Sequence, residues 1–238
     1  MHCKLSRFSL LLVVTLVPSA VLGALAPTSL GAQEPRNARD VAALVQSFYD
    51  QTTSFQADFF QTRYTKAYNR YDRARGRVTL VKPGKMRWDY TDPAGQTFVS
   101  DGSHLSVYQP PDEGEAHGQI IERDVTSDEL PQAFAFLLGD GRLDSDFHVR
   151  LLDSGRQGFP EGYVLEVRPR RPSRTYDRVL FFVRIPAGAP AGVIHRVLII
   201  DAAGNRNRFD FSHLRFNHAV PDSTFHFTPP AGTRVVRP

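Results

Sequence analysis

The chain has 238 residues, 41% hydrophobic and 11% aromatic, with a formal net charge of +4 and a single cysteine. Cys3 precedes an apolar N-terminal run, so once that run is removed disulfides, thiolate catalysis and cysteine metal sites are excluded. Losing Lys4 and Arg7 with it leaves 27 basic against 25 acidic residues, too even a balance for a nucleic-acid binder.

Lys4 and Arg7, the apolar stretch from Phe8 to Val17 and the small residues through Ala32 have the form of a secretory signal peptide over residues 1–31. Cleavage is expected after Gly31 or Ala32. The apolar stretch, broken at Pro18, falls short of the roughly 20 residues a membrane-spanning helix needs. Residues 32–238 then make one exported domain.

Asn37 or Asp40 caps a first helix in which Val41, Leu44, Val45, Phe48 and Tyr49 form one apolar stripe ending near Gln51. Phe55, Ala57, Phe59 and Gln61 then alternate with polar neighbours as a strand, and the polar stretch Lys66 to Asp72 is a loop or hairpin. Strands follow over Arg73 to Val81, Lys85 to Tyr90, Thr97 to Ser100 and Leu105 to Tyr108. Lys82-Pro83-Gly84, Asp92-Pro93-Ala94-Gly95 and Asp101-Gly102 supply the turns. Met86, Trp88 and Tyr90 share one face of their strand, which suits either an adaptable apolar surface or an ordinary core.

From Asp128 the period changes, with Leu130, Phe134, Leu137 and Leu138 at helical spacing before Gly139. Five more strands are expected: Phe147 to Leu152, Tyr163 to Val167, Val179 to Ile185, Val193 to Ile200 and Arg208 to Leu214. Val193 to Ile200 is apolar on both faces apart from His195 and Arg196, so it should be buried on both. The fold class is therefore mainly β with a few helices: roughly ten strands, two or three helices and no strand-helix alternation favour an antiparallel sheet or open barrel packed by helices. Arg168, Arg170, Arg171 and Arg174 make the stretch Gly155 to Arg178 either a docking surface or a solvated hairpin.

Motifs for chemistry are missing. The seven histidines beyond the leader show no metal-ligand spacing, Asp140, Asp144 and Asp146 lack the rest of a calcium loop, and no nucleophile elbow or phosphate loop is present. The chain reads as a binder without cofactor or metal, not an enzyme.

Several segments together resemble the periplasmic outer-membrane lipoprotein carriers, the LolA family. They are Phe55, Ala57, Phe59 and Gln61; Lys82 through Tyr90 with Pro93; Val99-Ser100-Asp101-Gly102 with Leu105 and Tyr108; Leu137-Leu138-Gly139; and Phe225 through Gly232. The resemblance implies an open antiparallel half-barrel of about ten or eleven strands, lidded by two or three helices that cover an apolar cavity for acyl chains. It implies as partners acylated lipoproteins, an inner-membrane lipoprotein-releasing ABC transporter and an outer-membrane acceptor. Carried onto this chain, it has Leu44, Phe48, Phe59, Met86, Trp88, Phe134, Leu137, Leu138, Phe209 and Phe211 lining the cavity. Relatives have an arginine, credited with holding the lid shut, where this chain has Lys82 at the rim; lysine brings a flexible point charge instead of a planar fork. An envelope-sensing lipoprotein-binding module on the same scaffold is the alternative function.

Overall fold

The computed structural model describes residues 37–124, 141–184 and 191–237. Helix α1 spans Ala38–Asp50, and the Asn37 side-chain oxygen accepts from the backbone N–H groups of Arg39 (2.9 Å) and Asp40 (3.1 Å). Such a cap satisfies two of the donors a helix start leaves open and is worth about 1 kcal/mol. A one-turn helix, α2, spans Leu143–Asp146. The expected helix around Phe134, Leu137 and Leu138 lies outside the described residues.

Among the described residues twelve strands make a single sheet, where about ten or eleven were expected. In chain order they are β1 (Ser54–Thr65), β2 (Arg70–Val81), β3 (Lys85–Asp92), β4 (Ala94–Asp101), β5 (His104–Gln109) and β6 (Gln119–Asp124). Then come β7 (Phe147–Leu152), β8 (Gly162–Pro169), β9 (Arg178–Arg184), β10 (Val193–Ile200), β11 (Arg206–Phe216) and β12 (Arg234–Val236). Across the sheet the order is β12-β6-β5-β4-β3-β2-β1-β11-β10-β9-β8-β7, antiparallel except for the β12–β6 pair, which is parallel. That pair is what the sequence reading missed. Its two strands are short, and Ile120-Ile121 shows no clean alternation. The polar stretch after β1 resolves as a hairpin: β1 and β2 stay in register out to Thr65 opposite Arg70, and Asn69 closes the tip at a φ of 46°.

The sheet curls strongly. Trp88 on β3 and Phe209 on β11 are separated by β2 and β1, about 14 Å in a flat sheet, yet their ring centroids lie 5.4 Å apart. Bulges between Gln56 and Asp58, between Arg75 and Gly76, and between Ile194 and Arg196 add local twist. Helix α1 lays Val41, Ala42, Val45 and Tyr49 into the concave side, against β7, β8 and β10. There they join one apolar cluster drawn from nearly every strand. A second, smaller cluster of Phe159, Val164, Leu180 and Phe182 lies on the opposite face of β8 and β9. This is why β9 reads as apolar on both sides, and β10 is likewise largely buried.

Candidate ligand-binding face

Period-two alternation sends Phe55, Ala57, Phe59 and Gln61 of β1, Met86, Trp88 and Tyr90 of β3, and Phe209 and Phe211 of β11 to the concave side. Their rings form a continuous row. Phe48 of α1 meets Phe216 edge-on at 4.8 Å, Phe216 meets Phe55 at 5.5 Å, and Phe55 meets Phe211 at 5.5 Å. Phe211 stacks on Phe209 at 6.5 Å. Phe209 touches Trp88 at 5.4 Å and Phe59 at 6.1 Å, and Phe59 touches Trp88 at 5.1 Å. Tyr90 and Phe98 extend the row at 5.0 and 5.8 Å. Phe55, Phe59, Met86, Trp88, Phe209 and Phe211 are all buried, none more than 7% exposed. Edge-to-face pairs of this kind add about 0.5–1.5 kcal/mol each beyond the area they bury.

Gly76 makes room for the centre of the row. It lies opposite Phe59, and a β-carbon there would sit 2.8 Å from the Phe59 ring tip and 2.1 Å from the Asp89 carbonyl oxygen. Only hydrogen fits.

At the hairpin end the row stops at a polar layer. The Tyr90 hydroxyl donates to Gln61 Oε1 at 3.0 Å, and Gln61 Nε2 donates to Asn207 Oδ1 at 2.8 Å. Burial pushes the Tyr90 phenol up to about 12, partly offset by the nearby Arg63 charge. Beyond this layer lies an open cavity of about 660 Å³, lined by polar groups that include Arg63, Asp72, Arg73, Gln119 and Arg234.

At the other end Lys82 joins sheet to helix. Its Nζ donates to the Tyr49 carbonyl oxygen in the last turn of α1, which also accepts from Thr52 N–H at 3.1 Å. An ammonium against helix C-terminal carbonyls is favourable, and a single carbonyl asks for a point charge, not a fork. Burial lowers the Lys82 pKa, and Asp50 opposes the shift. Burial also raises the Tyr49 phenol, whose oxygen accepts from Ile194 N–H at 3.3 Å and ties α1 to β10.

Of the residues expected to line a cavity, Phe59, Met86, Trp88, Phe209 and Phe211 come together on the concave face, and Phe48 reaches it from α1. Among the described residues Leu44 is not part of the cluster; it is half-buried, and its carbonyl lies against Gly192, where a β-carbon would come within 2.4 Å. Phe134, Leu137 and Leu138 lie outside the described residues. The face also includes residues that were not assigned to it: Phe55, Tyr90, Phe98 and Phe216. Phe55 shares the parity of Phe59, and Tyr90 that of Trp88, so alternation alone would have found both. Among the described residues no group of three or more His, Cys, Asp or Glu side chains could hold a metal ion. No described helix is long and apolar enough to cross a membrane.

Comparison with known proteins returns the family described as "Outer membrane lipoprotein carrier protein LolA", matched over residues 50–228. The chain is 32% identical over 211 residues to the outer-membrane lipoprotein carrier protein of Chromobacterium violaceum, covering 89% of this chain and 94% of that protein. It is 30% identical over 192 residues to the protein of the same name from Nitrosospira multiformis, covering 81% and 86%. Among solved structures it is similar to a LolA-superfamily protein from Nitrosomonas europaea, with a TM-score of 0.44, 17% identity and coverage of 81% and 99%.

Proposed function

Because the chain belongs to the LolA family of outer membrane lipoprotein carrier proteins, we propose that its aromatic concave face is the acyl-chain site of a periplasmic lipoprotein carrier. The observation that supports this reading is the unbroken row of rings from Phe48 to Phe98, which ends at the polar layer of Gln61, Tyr90 and Asn207. An alkyl chain lying along that row would exchange water for ring faces over its length, while the lipoprotein's polar part stays outside the layer.

The energetics favour self-covering rings over an empty hollow. Burying one methylene is worth about 0.8 kcal/mol, so a chain of roughly fifteen gains on the order of 12 kcal/mol. With that gain undiminished, the cargo would never leave. When Phe59, Trp88 and Phe209 cover one another in the free protein, entry must first break their contacts and expose apolar area at about 25 cal/mol per Å². Part of the gain is thereby offset, and the cargo can be released. Lys82, bonded to the Tyr49 carbonyl, would hold α1 over the face until cargo displaces it. Loading from an inner-membrane ABC transporter and delivery to an outer-membrane acceptor complete the reading; the protein's part is binding and release, with no bond made or broken. The relatives described above are named carriers, so nothing favours the sensing alternative.

Uptake of an acylated lipoprotein, followed by co-purification and mass spectrometry, tests the site. Phe211→Asn should lower recovered cargo about tenfold while the variant still unfolds cooperatively, as expected when the binding surface itself is what changed. Full recovery with Phe211→Asn would move the site elsewhere.

A further inference from the structure

Four large apolar side chains stand exposed among the described residues, and three of them belong to the β1–β2 hairpin: Phe60 at 41%, Tyr68 at 80% and Tyr71 at 58%. Around them the same hairpin carries Arg63, Lys66, Arg70, Arg73 and Arg75, and β11 adds Arg206 and Arg208.

Strand register places Phe60, Tyr64, Tyr71, Arg73, Arg75, Arg206 and Arg208 on one face of the sheet, whereas Arg63 and Arg70 alternate onto the other. Arg206, Tyr64 and Tyr71 lie side by side across β11, β1 and β2, and Arg208, Thr62 and Arg73 form the next row. Tyr64 and Tyr71 pack at 4.7 Å, and the Arg206 guanidinium lies 5.7 Å from the Tyr64 ring. The neighbouring acids are already engaged. Asp72 pairs with Arg70 at 2.7 Å, Asp92 with Arg75 at 3.0 Å and Asp210 with Arg208 at 2.9 Å, while Asp201 accepts from Asn205. Arg63, Lys66, Arg73 and Arg206 form no ion pair among the described residues.

From this juxtaposition we infer that the β1–β2 hairpin is a docking element for an anionic phospholipid bilayer. Cations without acidic partners are drawn to the negative surface potential of such a membrane. Amphipathic tyrosine rings settle at the headgroup level, where one edge is apolar and the hydroxyl wet. An acidic protein surface would satisfy the arginines equally but would leave Tyr68, at the extremity of the hairpin, with no apolar depth to enter. Arg63, Asp72 and Arg73 also border the polar cavity beyond the Gln61–Tyr90 layer, so docking through the hairpin would bring that opening to the bilayer.

The inference does not rest on the carrier reading, because binding to a membrane can be read without cargo. Protein recovered from the periplasm of an expressing cell is floated with phosphatidylcholine vesicles, with or without about 30 mol % phosphatidylglycerol. The expected result is about tenfold stronger partitioning onto the anionic vesicles, weakening as salt is raised. The double variant Arg73→Glu and Arg206→Glu should lose that preference. Tyr68→Ala should weaken binding about threefold at any salt concentration, because its share is not electrostatic. All three positions are exposed, and circular dichroism checks that the fold is kept. Equal partitioning onto neutral and anionic vesicles, or an unchanged preference in the charge-reversed variant, would overturn the inference. So would charge-dependent retention on poly-glutamate beads without vesicle binding, which would point to an acidic protein as the occupant.

Discussion

Tyr90 sits where the rings give way to polar groups, and its ionisation exposes that boundary to experiment. Its phenol is raised by burial to about 12, against 10.0 for an unperturbed tyrosine. The unfolded chain therefore loses this proton first as pH rises. The stability Tyr90 contributes is fully present below pH 10 and is lost as the pH climbs through about 12. Two pH units of difference correspond to about 2.7 kcal/mol at most. Tyr176, also raised to about 12 by burial, acts in the same sense. Chemical denaturation at stepped pH should show wild type losing that much more than Tyr90→Phe across the window; parallel curves would mean that Tyr90 is not buried as described. At this scale much of the face was legible, because alternation alone assigns Phe59, Met86, Trp88, Phe209 and Phe211 to one side of their strands. What alternation cannot supply is the clearance at Gly76, since it depends on the Asp89 carbonyl from the next strand.

Strand β8 shows how a charge-rich element becomes structural. Glu166 is buried on its outer face and receives Arg150 at 3.0 Å, Arg168 at 3.2 Å and Arg178 at 3.6 Å. Arg168 and Arg178 also share Asp177, at 3.1 and 2.6 Å. The arginines that suggested a docking surface or a solvated hairpin therefore divide. Arg168 folds back onto the sheet, whereas Arg171 and Arg174 remain exposed. Removing the shared carboxylate leaves three cations with one partner fewer, so Glu166→Ala should cost about 2 kcal/mol in urea denaturation. Arg150→Ala, which takes away a largely exposed partner, should cost under about 1 kcal/mol. Equal losses would mean that Glu166 is not the hub. The sequence displayed the charges but not their pairing, because Glu166 meets Arg150 and Arg178 only through strand register. For the same reason β6 and β12 went unseen: their pairing is parallel and joins positions more than a hundred residues apart, as in Arg234 opposite Gln119.

At the scale of the sheet, one strong curl accounts for both the proposed site and its concealment. Because the sheet brings β3 within ring contact of β11, the apolar side chains of the concave face satisfy one another in the free protein, and α1 closes over β7, β8 and β10. The broad architecture was readable from the run of short alternating segments without strand-helix alternation. The curvature was not, since it arises from bulges and close approaches set by chain elements far apart in sequence. Trp88 is the only tryptophan in the chain and stands in the middle of the ring row, between Phe59 and Phe209. Its emission should be quenched, saturably, by a lipopeptide whose acyl chain carries bromine, and unlabelled lipopeptide should restore it. Lipopeptide that binds at the same concentrations while Trp88 emission stays unchanged would contradict the claim that the acyl chain displaces these rings.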